Sequence, residues 1–141
     1  IIAGFPSETD AEHEQLLEDL RVLQFDHLGA FSYSKEEGTK AALLGEQIPA
    51  RTKAKRQRAI RALHQKISSE KTAGLVGQEF SVLIEGEHDE TELLLKGRHY
   101  GQAPEIDGQV IINDGSASPG DLVRVRITEA MPYDLVGTII Q

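Results

Sequence analysis

The chain has 141 residues, of which 39% are hydrophobic and 27% charged, a balance that suits one or two small soluble domains. It contains no cysteine, which excludes disulfides, thiolate nucleophiles and thiolate-held metals, and its five histidines (His13, His27, His64, His88, His99) are scattered, so no metal site is expected. The formal net charge of −8 conceals an acidic, a basic and a second acidic stretch.

Up to Pro49 ten acids face Arg21, Lys35 and Lys40, giving −7. From Ala50 to Leu75 eight bases face only Glu70, giving +7, and from Val76 twelve acids face Lys96, Arg98, Arg124 and Arg126, giving −8. Such segregation constrains the partner. No apolar run is long enough to span a bilayer, and the apolar start at Ile1 has no charged leader before it. A cytoplasmic setting is expected, with no membrane or DNA partner.

In chain order, Ile1-Ile2-Ala3 reads as a strand end broken by Gly4-Phe5-Pro6. Ser7, Thr9 and Asp10 offer caps for a helix whose Leu16, Leu17, Leu20 and Leu23 form one buried face. Phe25 to Tyr33 alternates toward a second strand, so the first segment is expected to be a parallel strand–helix–strand unit. Two strands do not make a stable parallel sheet, and further strands are expected before Ile1. Pro49 opens a long helix to about Ala73, with Ile60, Leu63 and Ile67 as its narrow apolar stripe. From Val76 the alternation of Phe80-Val82-Ile84 and of Val123-Val125-Ile127, with turn signals between, predicts about five short antiparallel strands in an OB-like barrel. The fold class is α+β, divided as 1–48, 49–75 and 76–141.

Three short segments are candidate sites. Gly4 to Thr9 lies at a strand C-terminus, where ligands bind parallel α/β folds, yet it lacks the spacing of a phosphate-binding loop, and a capped turn explains it as well. Ser32-Tyr33-Ser34-Lys35 follows the second strand without a nearby base, which suits a solvent-facing loop rather than a nucleophile. Glu105 and Asp107 flank a turn with no evident cleft, and they read as structural or partner-binding rather than as an acid–base pair.

Taken together, Gly4-Phe5-Pro6-Ser7-Glu8-Thr9, then Tyr33-Ser34-Lys35-Glu36-Glu37-Gly38-Thr39, then Gln65-Lys66-Ile67-Ser68 and a small β-barrel resemble the methylthiotransferases. These are radical S-adenosylmethionine enzymes that end in a TRAM domain. Gln102-Ala103-Pro104-Glu105-Ile106-Asp107-Gly108 and Tyr133-Asp134-Leu135-Val136-Gly137 resemble the RimO branch, which modifies an aspartate in the twelfth protein of the small ribosomal subunit. The alternatives are the tRNA-modifying branch, or a TRAM domain used as an RNA-binding module. The chain departs from the family pattern at Ser7, where glycine is common, and at His64, where glutamine is common.

The resemblance implies two [4Fe-4S] clusters and S-adenosylmethionine in the full-length enzyme. One S-adenosylmethionine would yield the radical that takes hydrogen from the aspartate β-carbon. The fragment itself should hold no cluster, no metal and no catalytic residue, and should be inactive alone. The terminal strand–helix–strand piece would belong to the radical enzyme's α/β barrel, with Ile2, Gly4, Glu8, Phe31 and Tyr33 beside the cofactor. Glu105, Asp107, Tyr133 and Asp134 would contact a basic ribosomal protein. The acidic barrel suits that partner, because a barrel gripping RNA should be basic. The basic helix is a separate candidate for contact with ribosomal RNA.

Overall fold

The computed structural model describes residues 1–140. They form two compact units, Ile1–Ile67 and the remainder from Ser68.

In the first unit, strand β1 (Ile2–Ala3) pairs in parallel with β2 (Phe31–Ser32), Ile2 opposite Phe31 and Ala3 opposite Ser32. Helix α1 (Asp10–Leu23) makes the crossover. It starts where it does because Thr9 accepts from the Glu12 N–H while the Glu12 carboxylate accepts from the Thr9 N–H, a reciprocal capping box. It stops at Gln24, whose left-handed backbone donates to the Leu20 carbonyl. Leu17 and Leu20 bury against Ala3, Ala30 and Ile60.

Two expectations are corrected in this unit. Leu23 is 60% exposed, because it sits at the edge of the apolar stripe in the final turn, beyond the reach of so small a sheet. The second strand is two residues long rather than running from Phe25 to Tyr33. Its partner β1 ends at Gly4, where φ is +74°, and Pro6 has no N–H to continue a ladder.

Helix α2 (Ala50–Ala73) follows. Its Ile60 and Ile67 are buried and its Leu63 packs beside Ile60. The last turns belong to the second unit, where Ser68 and Thr72 donate their hydroxyls to the carbonyls of Pro132 and Met131.

The second unit is a closed barrel of β3 (Glu79–His88), β4 (Thr91–Arg98), β5 (Val110–Asp114), β6 (Leu122–Ala130) and β7 (Leu135–Ile139). The strands follow one another around the ring as β3-β4-β5-β7-β6. Alternation turns Val82, Ile84, Val110, Ile112, Val125, Ile127 and Leu135 inward, all buried. Outside, Arg124 and Arg126 on β6 fork onto Glu79 of β3. The ring is not wholly antiparallel, as expected, but mixed: β5 and β7 run in parallel, Val110 opposite Leu135 and Ile111 opposite Val136. The reason is arithmetic. Neighbours that alternate in direction need an even number to close, and five strands leave one pair pointing the same way.

Burial gives a direct test. Ile127→Ala should destabilise the chain by about 2–5 kcal/mol, whereas Leu93→Ala, at a position 91% exposed, should stay within about 0.5 kcal/mol. Guanidinium unfolding of both variants measures the contrast, and equal losses would refute the assigned core.

Candidate substrate groove and the Gly4 face

On the first unit, the residues singled out by sequence lie around the end of β1. Gly4 donates its N–H to the Glu8 carboxylate at 2.6 Å. A Cβ on Gly4 would lie 2.3 Å from Cγ of Lys53, so glycine lets the lysine stem cross the turn. Lys53 then donates from Nζ to the Tyr33 carbonyl at 2.8 Å, and its ammonium stands 5.5 Å from the centre of the Tyr33 ring. Phe5 meets that ring edge-on at 5.4 Å. The Tyr33 hydroxyl is buried with no hydrogen-bond partner among the described residues. Ile2 and Phe31, paired in register, are both exposed, and they form an apolar step beside the turn.

Glu8 is held from within. Arg56, only 5% exposed, bonds the Glu8 carboxylate and the Glu8 carbonyl, each at 2.9 Å, and reaches Asp10 at 2.8 Å. Burial of a guanidinium is tolerable only with such partners. Sequence alone shows Arg56 only as one charge of the basic stretch, and a single arginine in a basic run carries no signal that marks it as buried. The two departures from the family pattern also find physical counterparts. Ser7 adopts φ +69°, a left-handed backbone that glycine takes at no cost. His64 is buried and its Nε2 lies 3.2 Å from the Phe25 carbonyl, a place where a glutamine amide could donate.

On the barrel, the two sequence motifs converge at the start of the parallel pair. Asp134 accepts from the Gln109 N–H at 2.8 Å, and the Leu135 N–H donates to the Gln109 carbonyl at 2.9 Å. The approach needs glycine, since a Cβ on Gly108 would stand 1.9 Å from the Tyr133 carbonyl oxygen. In the loop before it, Asp107 accepts from the Ala103 N–H at 2.7 Å, and Glu105 is exposed with φ +63°. Glu105, Asp107 and Asp134 line one open groove of about 380 Å³ with Glu85, Asp89, Lys96 and Arg98. Tyr133 is half-exposed and does not line it.

A cleft is therefore present where the sequence suggested none. It forms because pairing of β5 with β7 brings together two loops that lie some 25 residues apart in the chain. The groove's cations are matched by carboxylates: Arg98 bonds Glu85 at 2.8 Å, and Lys96 bonds Asp89. That pairing holds the Asp89 carboxyl below the ordinary carboxylate range, through the hydrogen bond first and the charge second. With five acids and two bases, the groove is suited to cationic side chains. Lys96, Arg98 and Glu85 were not singled out from sequence, because their alternation on strands reads only as an exposed face, and Asp89 lies in the turn between β3 and β4.

Two outcomes are expected for the first unit. Arg56→Met should cost about 3–5 kcal/mol, since it strands the Glu8 carboxylate in a part-buried site, and adding Glu8→Gln should recover part of the loss in thermal unfolding. The Asp10 carboxyl is also held low, by its Arg56 hydrogen bond and charge, and that of Glu12 by the Thr9 backbone and hydroxyl. A depressed folded value means stability that is full above the ordinary carboxylate range and is lost as pH falls through the folded value. Melting temperature should therefore fall between about pH 5 and about pH 3, and fall less in Asp10→Asn/Glu12→Gln.

Comparison with known proteins places both units. A family profile described as TRAM domain matches residues 76–140. The chain is 49% identical over 139 residues to the ribosomal protein uS12 methylthiotransferase RimO of Sorangium cellulosum, covering 99% of this chain and 28% of that protein. It is 48% identical to the protein of that name from Bdellovibrio bacteriovorus (99% and 30%) and 46% identical to that from Myxococcus xanthus (100% and 30%). The chain spans about three-tenths of the length of these relatives. By sequence the chain is similar along its whole length to part of the RimO-type methylthiotransferases, and its barrel matches the TRAM domain.

Proposed function

We propose that the chain is part of a radical S-adenosylmethionine enzyme that methylthiolates the β-carbon of an aspartate in the small-subunit ribosomal protein uS12, acting in the cytoplasm. In this reading 1–48 complete the radical barrel, 49–75 link, and 76–141 grip the substrate. The observation that carries the substrate assignment is the groove, in which Glu105, Asp107 and Asp134 meet on an acidic barrel. Ribosomal proteins are basic, and complementary charge steers such partners and fixes their register. Tyr133, half-exposed beside Asp134, supplies an amphipathic contact at the rim. A tRNA-modifying role is the weaker reading, because the barrel's charge opposes phosphate.

The residues of this chain do not fit an iron–sulfur cluster, which takes thiolate ligands, for there is no cysteine. Among the described residues no group of His, Asp or Glu could hold a metal ion either. Turnover by this chain alone is not part of the proposal. For S-adenosylmethionine the fit is partial. Exposed Ile2 and Phe31 offer apolar contact to an adenine ring, while the Tyr33 hydroxyl is buried and out of reach of that surface. Glu8 is already engaged by Gly4 and Arg56, so in this reading it shapes the turn and does not touch the cofactor. When bound, S-adenosylmethionine would supply the radical precursor.

Titration of the 141-residue chain with the basic ribosomal protein, at low and at physiological salt, tests the groove. Binding should weaken with salt and be lost in Glu105→Lys/Asp107→Lys. Salt-sensitive binding of tRNA that Glu105→Lys/Asp107→Lys strengthens, with none of the protein, would overturn the assignment.

A further inference from the structure

Helix α2 carries the chain's positive charge, and that charge has two fates. Lys53, Arg56 and Arg61 turn inward, bonding the Tyr33 carbonyl, the Glu8–Asp10 carboxylates and the Ala30 carbonyl respectively. Arg51, Lys55 and Arg58 are exposed, and among the described residues none of the three has a hydrogen bond or ion pair. At 100° per residue they cluster within about 60° of arc, on the side of the helix opposite buried Ile60, and they rise over about 10 Å. Asp10, whose carboxyl feels the charge of Lys55, is already claimed by Arg56. The result is an uncompensated cationic stripe on a chain whose net charge is −8.

The stripe's composition narrows its partner. Its remaining exposed neighbours are Ala62, Gln65 and Lys66, with no aromatic or long aliphatic side chain. A protein interface wants a buried aromatic or aliphatic anchor at its centre, and a membrane-surface helix wants an apolar face to insert. This helix face has neither. Arginine at two of three positions suits phosphate, which its planar fork bonds at two oxygens. We infer that Arg51, Lys55 and Arg58 form a docking stripe for the phosphate backbone of RNA. The choice of RNA over other polyanions rests on the proposed ribosomal substrate, since a ribosomal protein is presented in a bed of RNA. The stripe adds no sequence selectivity, because phosphate contacts position a complex without reading bases.

The test is fluorescence anisotropy of a fluorescein-labelled 20-base-pair RNA hairpin titrated with the full chain across a range of KCl. Three phosphate contacts predict that the logarithm of the binding constant falls with that of salt with a slope of about −2 to −3, or about 40-fold weaker binding at 200 than at 50 mM. Each single substitution to glutamine should lower the slope by about one. Arg51→Gln/Lys55→Gln/Arg58→Gln should bring the slope near zero and weaken binding at least about tenfold at low salt. Glutamine is a good helix former, and circular dichroism checks that the triple variant keeps its helix. Arg51→Lys/Arg58→Lys, which retains charge, should keep the slope. An unchanged slope in the triple variant would overturn the inference. So would equal weakening by Arg124→Gln/Arg126→Gln on the barrel, or tighter binding to vesicles containing 30% phosphatidylserine or to polyglutamate than to RNA. Glu105→Lys/Asp107→Lys separates the two proposals: the stripe survives a failure of the groove to bind ribosomal protein, and the groove survives a failure of the stripe to bind RNA.

Discussion

Five strands hydrogen-bonded in a closed ring cannot alternate direction at every step, and in this barrel the break in alternation falls between β5 and β7. Much of the domain follows from that one parallel pair. Parallel neighbours begin at the same end of the sheet, so the segments that precede them emerge side by side. The loop ending at Gly108 and the turn ending at Asp134 are thereby forced together, close enough that only a glycine fits at 108. The Asp134 carboxylate and the Gln109 backbone then stitch the seam. The groove is the outer surface of that seam, where Glu105 and Asp107 from one loop and Asp134 from the other join Glu85 and Asp89 of the β3–β4 hairpin.

The first unit depends instead on a buried charge. Arg56 reaches from α2 to the end of the turn that enters α1, taking the Glu8 carboxylate, the Glu8 carbonyl and Asp10. Glu8 in turn accepts from Gly4, so one guanidinium fixes the backbone on which the exposed pair Ile2 and Phe31 stands. Such a network contributes little net stability over an apolar substitute, but it is costly to break on one side. It acts as a constraint on geometry more than as a source of binding energy.

These two features explain what the sequence disclosed and what it withheld. Local patterns were readable: the cap at Thr9, the Leu16, Leu17 and Leu20 face of α1 and the alternation that turns Val123, Val125 and Ile127 to one face. The parallel sense of β1 and β2 followed from the length of the crossover. The inward partners of α2 were not readable, because Lys53, Arg56 and Arg61 differ from Arg51, Lys55 and Arg58 only in which way the helix happens to face. The groove was hidden for a different reason. Glu105, Asp107 and Asp134 could be named from resemblance, but their shared surface depends on a pairing 25 residues apart in the chain. The expected antiparallel ring fails on strand count, because an odd number of strands closes only with one parallel pair, here β5 and β7.

Ring closure also sets the order in which this domain can come into being. Glu79 on β3 meets Arg126 on β6 across 47 residues of chain, and the last gap is filled by β7, which ends at Ile139. No sequential set of hairpins completes the barrel, because β7 must insert between β5 and β6. Long-range pairings of this kind slow folding, since the entropy of loop closure is lost before the contacts form. On a chain emerging from synthesis, β3 to β6 wait with open edges until the final strand is made, and the acidic groove is among the last surfaces to take shape.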